Sequence, residues 1–142
     1  MTAIADKAAN FPIKNLPGIT QLGDLKGQVV YLDFWASWCK PCRKSFPWMN
    51  AIEEKFKHRG FKVISINLDK DSLLMDNFLI KYPAMFLVIQ DPKATIADLY
   101  QIQSMPSSYI IDAEGYVAFS HVGFFEKKQL QYEKEIESLL KK

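Results

Sequence analysis

The chain has 142 residues, of which 49% are hydrophobic, so it is long enough for one globular domain with a substantial core. Its 18 basic and 16 acidic residues form no basic cluster, so neither nucleic acid nor a membrane surface is indicated as a partner. The two cysteines are too few for a disulfide scaffold, and no apolar run reaches the roughly 18 residues of a membrane-spanning helix. We expect a single domain over residues 1–142.

Residues 1–10 contain neither the basic segment nor the apolar segment of a signal peptide. They are rich in alanine, and we expect a flexible arm. Two locations stay open on this evidence: the cytoplasm, or an extracytoplasmic compartment reached by a longer precursor. Residues 11–25 then alternate weakly around two turn signals, which predicts a short hairpin.

The next segments predict a strand, a helix and a second strand. Val29–Trp35 is a nearly continuous apolar run, typical of a central strand that is covered on both faces. From Pro41 the apolar residues recur at helical spacing, and Gly60 marks the end of this helix. Residues 61–68 form the second predicted strand, which completes a βαβ unit with a right-handed crossover.

Shorter elements are predicted in the second half of the chain. A helix capped by Asp69, Asp71 or Ser72 runs to about Tyr82. Residues 84–90 predict a strand and residues 93–100 a short helix. An antiparallel hairpin is predicted from residues 107–112 and 116–122, and a final helix from residues 126–142.

Cys39 and Cys42 are separated by two residues and lie between the first apolar strand and the helix that follows it. A Cys-X-X-Cys pair at such a junction is typical of a redox dithiol. The unpaired N–H groups at a helix start favour a thiolate, and a second thiol nearby can resolve a mixed disulfide. We therefore predict that Cys39 is an exposed nucleophile and that Cys42 is the resolving thiol.

Asp33 is the one charged residue in the first apolar strand. It is either a core polar residue satisfied by the backbone or a proton acceptor for Cys42. Burial near a thiol raises the pKa of a carboxyl group, which favours the second interpretation.

The sequence Trp35-Ala36-Ser37-Trp38-Cys39-Lys40-Pro41-Cys42, with Pro47 in the following helix, resembles thioredoxin-fold proteins. The similarity is greatest to the TlpA/ResA/DsbE branch of thiol-disulfide oxidoreductases and extends from about Phe11 to the C-terminus. It implies an α/β, thioredoxin-like fold: a mixed central sheet flanked by helices, an N-terminal hairpin, and a strand–helix insert at residues 82–100. Two positions depart from this branch. Asp33 stands where Asn is common, and Lys70 lies nearest a position that is acidic in this branch, with Asp69 and Asp71 on either side.

The resemblance also implies a substrate-docking surface. The bond between Met105 and Pro106 is expected to be cis and to lie opposite the dithiol, where the backbone of Met105 can pair with an extended substrate. Trp38, Lys40 and Pro41 complete the predicted docking surface. Protein disulfides and thiols are the implied substrates, and a membrane thiol-disulfide carrier is the implied electron donor. We expect no metal and no cofactor beyond the redox-active disulfide between Cys39 and Cys42.

For the whole protein, the resemblance implies a periplasmic or other extracytoplasmic location, a membrane anchor in the full-length form and a link to cytochrome c maturation. We expect a monomer. The extracytoplasmic location is preferred here to the cytoplasmic one.

Other functions are compatible with the same pair of cysteines. A copper-binding or copper-delivery module would need further soft ligands, and Met105 is the only candidate expected near the pair. Structural zinc takes four ligands, whereas His58 and His121 lie on different predicted elements. A disulfide isomerase or oxidase would use the same two cysteines, but their disulfide would have a higher reduction potential. A reductase is favoured for two reasons. An ionised Asp33 would oppose the thiolate, and this chain lacks the histidine between the cysteines that, by the family resemblance, marks strong oxidants.

Overall fold

The structure is a computed structural model that describes residues 6–140. Its central feature is a five-stranded mixed sheet with the strand order β5-β4-β3-β6-β7, and β1 and β2 form a separate antiparallel hairpin. The strands are β1 (Pro12–Leu16), β2 (Ile19–Gln21), β3 (Val29–Trp35), β4 (Phe61–Asn67), β5 (Leu87–Gln90), β6 (Ser107–Ile111) and β7 (Val117–Val122). The helices are α1 (Lys40–Phe56), α2 (Ser72–Lys81), α3 (Thr95–Leu99) and α4 (Gln129–Leu139).

Strand β3 lies at the centre of the sheet. It pairs in parallel with β4 and antiparallel with β6, and all seven of its residues are buried. This explains why its sequence is almost continuously apolar rather than alternating. The strand, the mixed sheet and the N-terminal hairpin predicted from the sequence are confirmed.

Two apolar clusters cover the two faces of the sheet. The first joins side chains of β3 and β4 to helices α1, α2 and α4, and it includes both cysteines. The second joins the opposite faces of the same strands to the N-terminal hairpin and to α3. Alternate residues of β3 therefore enter different clusters: Tyr31 and Trp35 enter the first, and Leu32 and Phe34 the second.

The two ends of the described chain differ from the sequence-based expectation. Residues 6–10 of the predicted flexible arm are held at the sheet, since the Ala8 N–H donates to Gly115 O and the Val117 N–H donates to Asp6 O. Residues 1–5 of that arm lie outside the described residues. At the other end, Glu126–Lys128 form a 3-10 turn before α4 begins, and residues 141–142 again lie outside the description.

The helices of the described chain are too short or too polar to span a bilayer.

The shortest helix, α3, has only five residues and is stabilised by a buried carboxylate. Asp91 Oδ2 accepts hydrogen bonds from the backbone N–H groups of Ile96 and Ala97, both at 3.0 Å. Because these N–H groups have no partner within a single-turn helix, Asp91 stabilises the start of α3.

Substituting Asp91→Ala should lower the free energy of unfolding by about 1–2 kcal/mol, because two buried N–H groups lose their acceptor. Urea unfolding measures this change. Lys93→Ala, an exposed substitution in the same loop, should change stability by less than about 0.5 kcal/mol and serves as the control. Equal effects of the two substitutions would contradict this role of Asp91.

Candidate active site

The two cysteines lie where the central strand passes into the first helix. β3 ends at Trp35, the Cys39 N–H donates to Ala36 O at 3.1 Å, and α1 begins at Lys40. Cys39 is the N-cap of α1 and forms a disulfide bond with Cys42, one turn into the helix. The sulfur of Cys39 therefore lies at the positive end of a 17-residue helix, where unpaired N–H groups favour negative charge.

Both cysteines are buried in this disulfide-bonded form. Cys39 is 4% exposed and Cys42 is 0% exposed, and both belong to the apolar cluster beneath α1. The prediction of an exposed Cys39 is therefore wrong for the oxidised state, because its bond to Cys42 holds the sulfur against the core. Cys39 nevertheless has the larger exposed fraction and is the more accessible of the two cysteines.

The predicted docking residues lie around this disulfide. Trp38 is 66% exposed, and Lys40 and Pro41 are exposed at the first turn of α1. The peptide bond between Met105 and Pro106 is cis, as expected. Met105 is half-buried and packs against the cluster that contains both cysteines. The structure thus brings residues from two distant segments to the same side of the molecule.

Asp33 lies in the core, on the face of β3 that also carries Tyr31 and Trp35. Burial raises the pKa of its carboxyl group well above the ordinary value. Its Oδ2 atom has no hydrogen-bond partner among residues 6–140, and its cross-strand neighbour in β6 is Ser108. An ionised carboxylate is costly at such a site, so Asp33 favours its protonated form.

Asp69 is a site residue that sequence analysis considered as a helix cap and as one of two acidic neighbours of Lys70, without a role at the dithiol. Its carboxylate accepts hydrogen bonds from the Ser37 N–H at 2.9 Å, from Ser37 Oγ at 2.8 Å and from Asn67 Nδ2 at 2.8 Å. The cap of α2 is instead Asp71, whose side chain accepts from the Leu73 N–H. Asp69 therefore fixes the turn before Cys39 to the end of β4.

The two histidines lie apart from the disulfide. His58 lies in the 3-10 turn after α1, and His121 Nε2 of β7 is 2.6 Å from Glu135 Oε1 of α4. Within residues 6–140 there is no group of three or more His, Cys, Asp or Glu side chains arranged to hold a metal ion. The pair between His121 and Glu135 attaches α4 to the edge of the sheet.

The chain is similar to known proteins over most of its length. Residues 4–120 match the model of the AhpC/TSA family. The thiol-disulfide oxidoreductases ResA of a Bacillus cereus strain and of Bacillus anthracis are 36% and 37% identical over 129 residues, which are 90% of this chain and 75% of each relative. A Chlorobium tepidum protein, provisionally assigned as the thiol:disulfide interchange protein DsbE, is 44% identical and superposes with a TM-score of 0.89. That match covers 95% of this chain and 96% of the other.

These matches confirm the resemblance seen in the sequence. The sheet order, the Cys-X-X-Cys disulfide at the start of α1 and the cis bond before Pro106 occur together in a chain that is similar to ResA and DsbE proteins. The chain therefore belongs to the AhpC/TSA family and has the thioredoxin-like fold of the thiol-disulfide oxidoreductases.

Proposed function

We propose that this protein reduces disulfide bonds in other proteins through the dithiol of Cys39 and Cys42. The observation that carries the proposal is the disulfide between these residues at the start of α1, with Trp38, Lys40 and Pro41 exposed around it. In this disulfide the sulfur of Cys39 lies at the N-terminus of α1, close to the surface, and the sulfur of Cys42 lies one turn deeper in the core.

The reaction proceeds by two exchanges. The Cys39 thiolate attacks one sulfur of a substrate disulfide, the substrate S–S bond breaks, and a mixed disulfide forms as the first substrate thiolate leaves. Cys42 then loses its proton and attacks the Cys39 sulfur, which releases the second substrate thiolate. Two electrons pass to the substrate, its two thiolates take up two protons, and the protein is left in the disulfide form described here.

Asp33 supports the second exchange in this proposal. A carboxylate with a raised pKa is a better proton acceptor for a thiol than an ordinary exposed aspartate. Its position supports this role, because Asp33 lies on the face of β3 whose neighbouring residues Tyr31 and Trp35 belong to the apolar cluster that contains Cys42. The protonated form that burial favours is then the product of the proton transfer.

Docking requires that an extended substrate chain reach Cys39. Met105 and Pro106 supply backbone groups for pairing with such a chain, and Trp38, Lys40 and Pro41 form its neighbouring surface. Similarity to ResA and DsbE proteins supports an extracytoplasmic location, protein thiols as substrates and re-reduction by a membrane-bound thiol-disulfide donor. It also supports a role in cytochrome c maturation.

The two exchanges are tested by replacing each cysteine separately. Cys39→Ser should abolish reduction of an insulin disulfide in the presence of dithiothreitol, because no thiol remains at the helix start. Pre-reduced Cys42→Ser, mixed with insulin after the dithiothreitol has been removed, should instead accumulate a mixed disulfide between Cys39 and the insulin chain, visible by non-reducing gel and mass spectrometry. A mixed disulfide formed equally by both variants would contradict the assigned roles.

The role of Asp33 is tested with Asp33→Asn. The substitution removes the cost of a buried carboxylate, so the free energy of unfolding should rise by about 1–3 kcal/mol at about pH 8. The unfolded chain loses the Asp33 proton near about pH 3.9, whereas the folded chain keeps it to higher pH. Wild-type stability relative to the variant should therefore fall as the pH rises from about 4 through the pKa of the folded state.

The same variant should slow the second exchange more than the first, so that the mixed disulfide persists in rapid-quench experiments. Asp98→Asn, at an exposed position in α3, provides the control for loss of a negative charge. A stability difference that does not depend on pH, together with unchanged exchange rates, would leave Asp33 with a structural role only.

A further inference from the structure

An open groove lies beside the Cys-X-X-Cys segment, between α1 and the loop that leads into α4. It has a volume of about 650 Å³ and is lined by residues of the first turns of α1 and of the loop that leads into α4: Lys40, Pro41, Lys44, Phe124, Phe125, Glu126 and Lys127. Lys40 and Pro41 lie between the two cysteines in the sequence. The groove therefore adjoins the Cys-X-X-Cys segment, although neither cysteine lines it.

Two neighbouring aromatic residues form the floor of the groove and differ in burial. Phe124 packs against Trp48 and Tyr132, with ring centroids 5.5 Å and 6.0 Å apart, and so is anchored in the core. Phe125 points outward and is 52% exposed. Exposed aromatic side chains beside an active site are typical anchors for a partner protein.

The position of Phe125 is fixed by the loop before it. A Cβ atom at Gly123 would lie 3.2 Å from the Phe125 ring, so the ring rests directly on the glycine backbone. Gly123 also has a φ of +84°, and its N–H donates to Pro106 O at 2.7 Å. The aromatic floor is thus tied to the segment of Pro106 before any substrate binds.

The rim of the groove is basic. Lys44 and Glu126 neutralise each other at 3.1 Å. Lys40 and Lys127, together with Lys128, whose Nζ lies 5.3 Å from the Phe125 ring centroid, form no salt bridge within residues 6–140. Three positive charges therefore surround an apolar floor, and no carboxylate of the described chain pairs with them.

We infer that this groove binds an acidic, extended segment of the substrate protein that carries a large apolar or aromatic side chain beside the cysteine attacked by Cys39. The inference rests on the proposed function and specifies its substrate class. The apolar side chain packs on Phe125, and carboxylates on either side of it lie near Lys40, Lys127 and Lys128. Electrostatic complementarity of this kind acts mainly on partner choice and on the rate of association.

The test uses two cyclic peptides that contain the same disulfide and one tryptophan, flanked by aspartates in one and by lysines in the other. Single-turnover reduction by the pre-reduced protein is followed at low salt. The wild type should react about tenfold faster with the aspartate peptide, as expected for two surface charge pairs. The preference should shrink at about 1 M salt, because charges are then screened within about 3 Å.

The double variant Lys127→Glu/Lys128→Glu should lose or invert this preference. Lys14→Glu/Lys26→Glu, which makes the same charge change at exposed positions of the N-terminal region, should retain it. Phe125→Ser should slow both peptides by a similar factor. Reduction of the small, uncharged bis(2-hydroxyethyl) disulfide should stay within about twofold of wild type in all three variants, because this substrate has neither a charge to be steered nor an aromatic side chain to pack on Phe125.

Binding is measured separately from redox chemistry by titrating the disulfide-bonded protein with linear peptides whose cysteines are replaced by serine. The aspartate peptide should bind more tightly than the lysine peptide, and Lys127→Glu/Lys128→Glu should remove the difference. No charge preference in this titration would overturn the groove assignment. Failure of the wild type to reduce bis(2-hydroxyethyl) disulfide, with the binding preference intact, would instead contradict the proposed function.

Discussion

Strand β3 has a hydrogen-bonded neighbour on each side and an apolar cluster on each face, so none of its side chains reaches solvent. This burial determines the chemistry of the site in two ways. It holds Asp33 in a low-dielectric environment that disfavours the carboxylate. It also fixes the end of β3 at Trp35, so that only a short turn separates this strand from the start of α1 at Lys40. The positions of both cysteines follow from that turn and from the first turn of the helix.

Two opposing electrostatic effects then act on the dithiol. The N-terminus of α1 stabilises a thiolate at Cys39 and so favours the reduced protein. Asp33 carries no charge while it is protonated, the form that burial favours, and it opposes a thiolate only when it ionises above its raised pKa. An ionised Asp33 in this low-dielectric region favours the disulfide and makes the dithiol a stronger reductant. Lys40 is exposed and contributes little, because water screens its charge. The proposed reductase requires that the effect of an ionised Asp33 outweigh that of the helix N-terminus.

Long-range hydrogen bonds assemble the surface around the disulfide. Asp69 holds Ser37 at one side, and the bond from the Gly123 N–H to Pro106 O joins the two loops at the other. Each bond connects segments that are far apart in sequence. The surface that meets a substrate is therefore set by the ends of β3, β4, β6 and β7 together rather than by the Cys-X-X-Cys segment alone.

Much of the fold was predictable because its strands and helices have strong periodic patterns. The buried run of β3, the helical spacing after Pro41 and the hairpin of β6 and β7 each correspond to an observed element. The burial of Asp33 also followed from its place in an apolar strand. Features that depend on contacts distant in sequence could not be predicted in this way. Residues 6–10 bind the turn between β6 and β7, Cys39 is covered in the oxidised form, and Phe125 rests on Gly123.

The position of Asp69 was partly indicated by the sequence. An acidic residue that follows a parallel strand lies at the same sheet edge as the turn after β3. The register of β3 against β4 was needed to show that Asp69 lies next to that turn.

The standard reduction potential of the Cys39–Cys42 couple decides whether the protein is a reductase. Equilibration of the protein with glutathione redox buffers, read out by the fraction of free thiol, gives this value. We predict a potential near that of thioredoxin, about −270 mV, rather than that of DsbA, about −120 mV. A value above about −180 mV, the figure for protein disulfide isomerase, would contradict a reductase and indicate an isomerase or an oxidase.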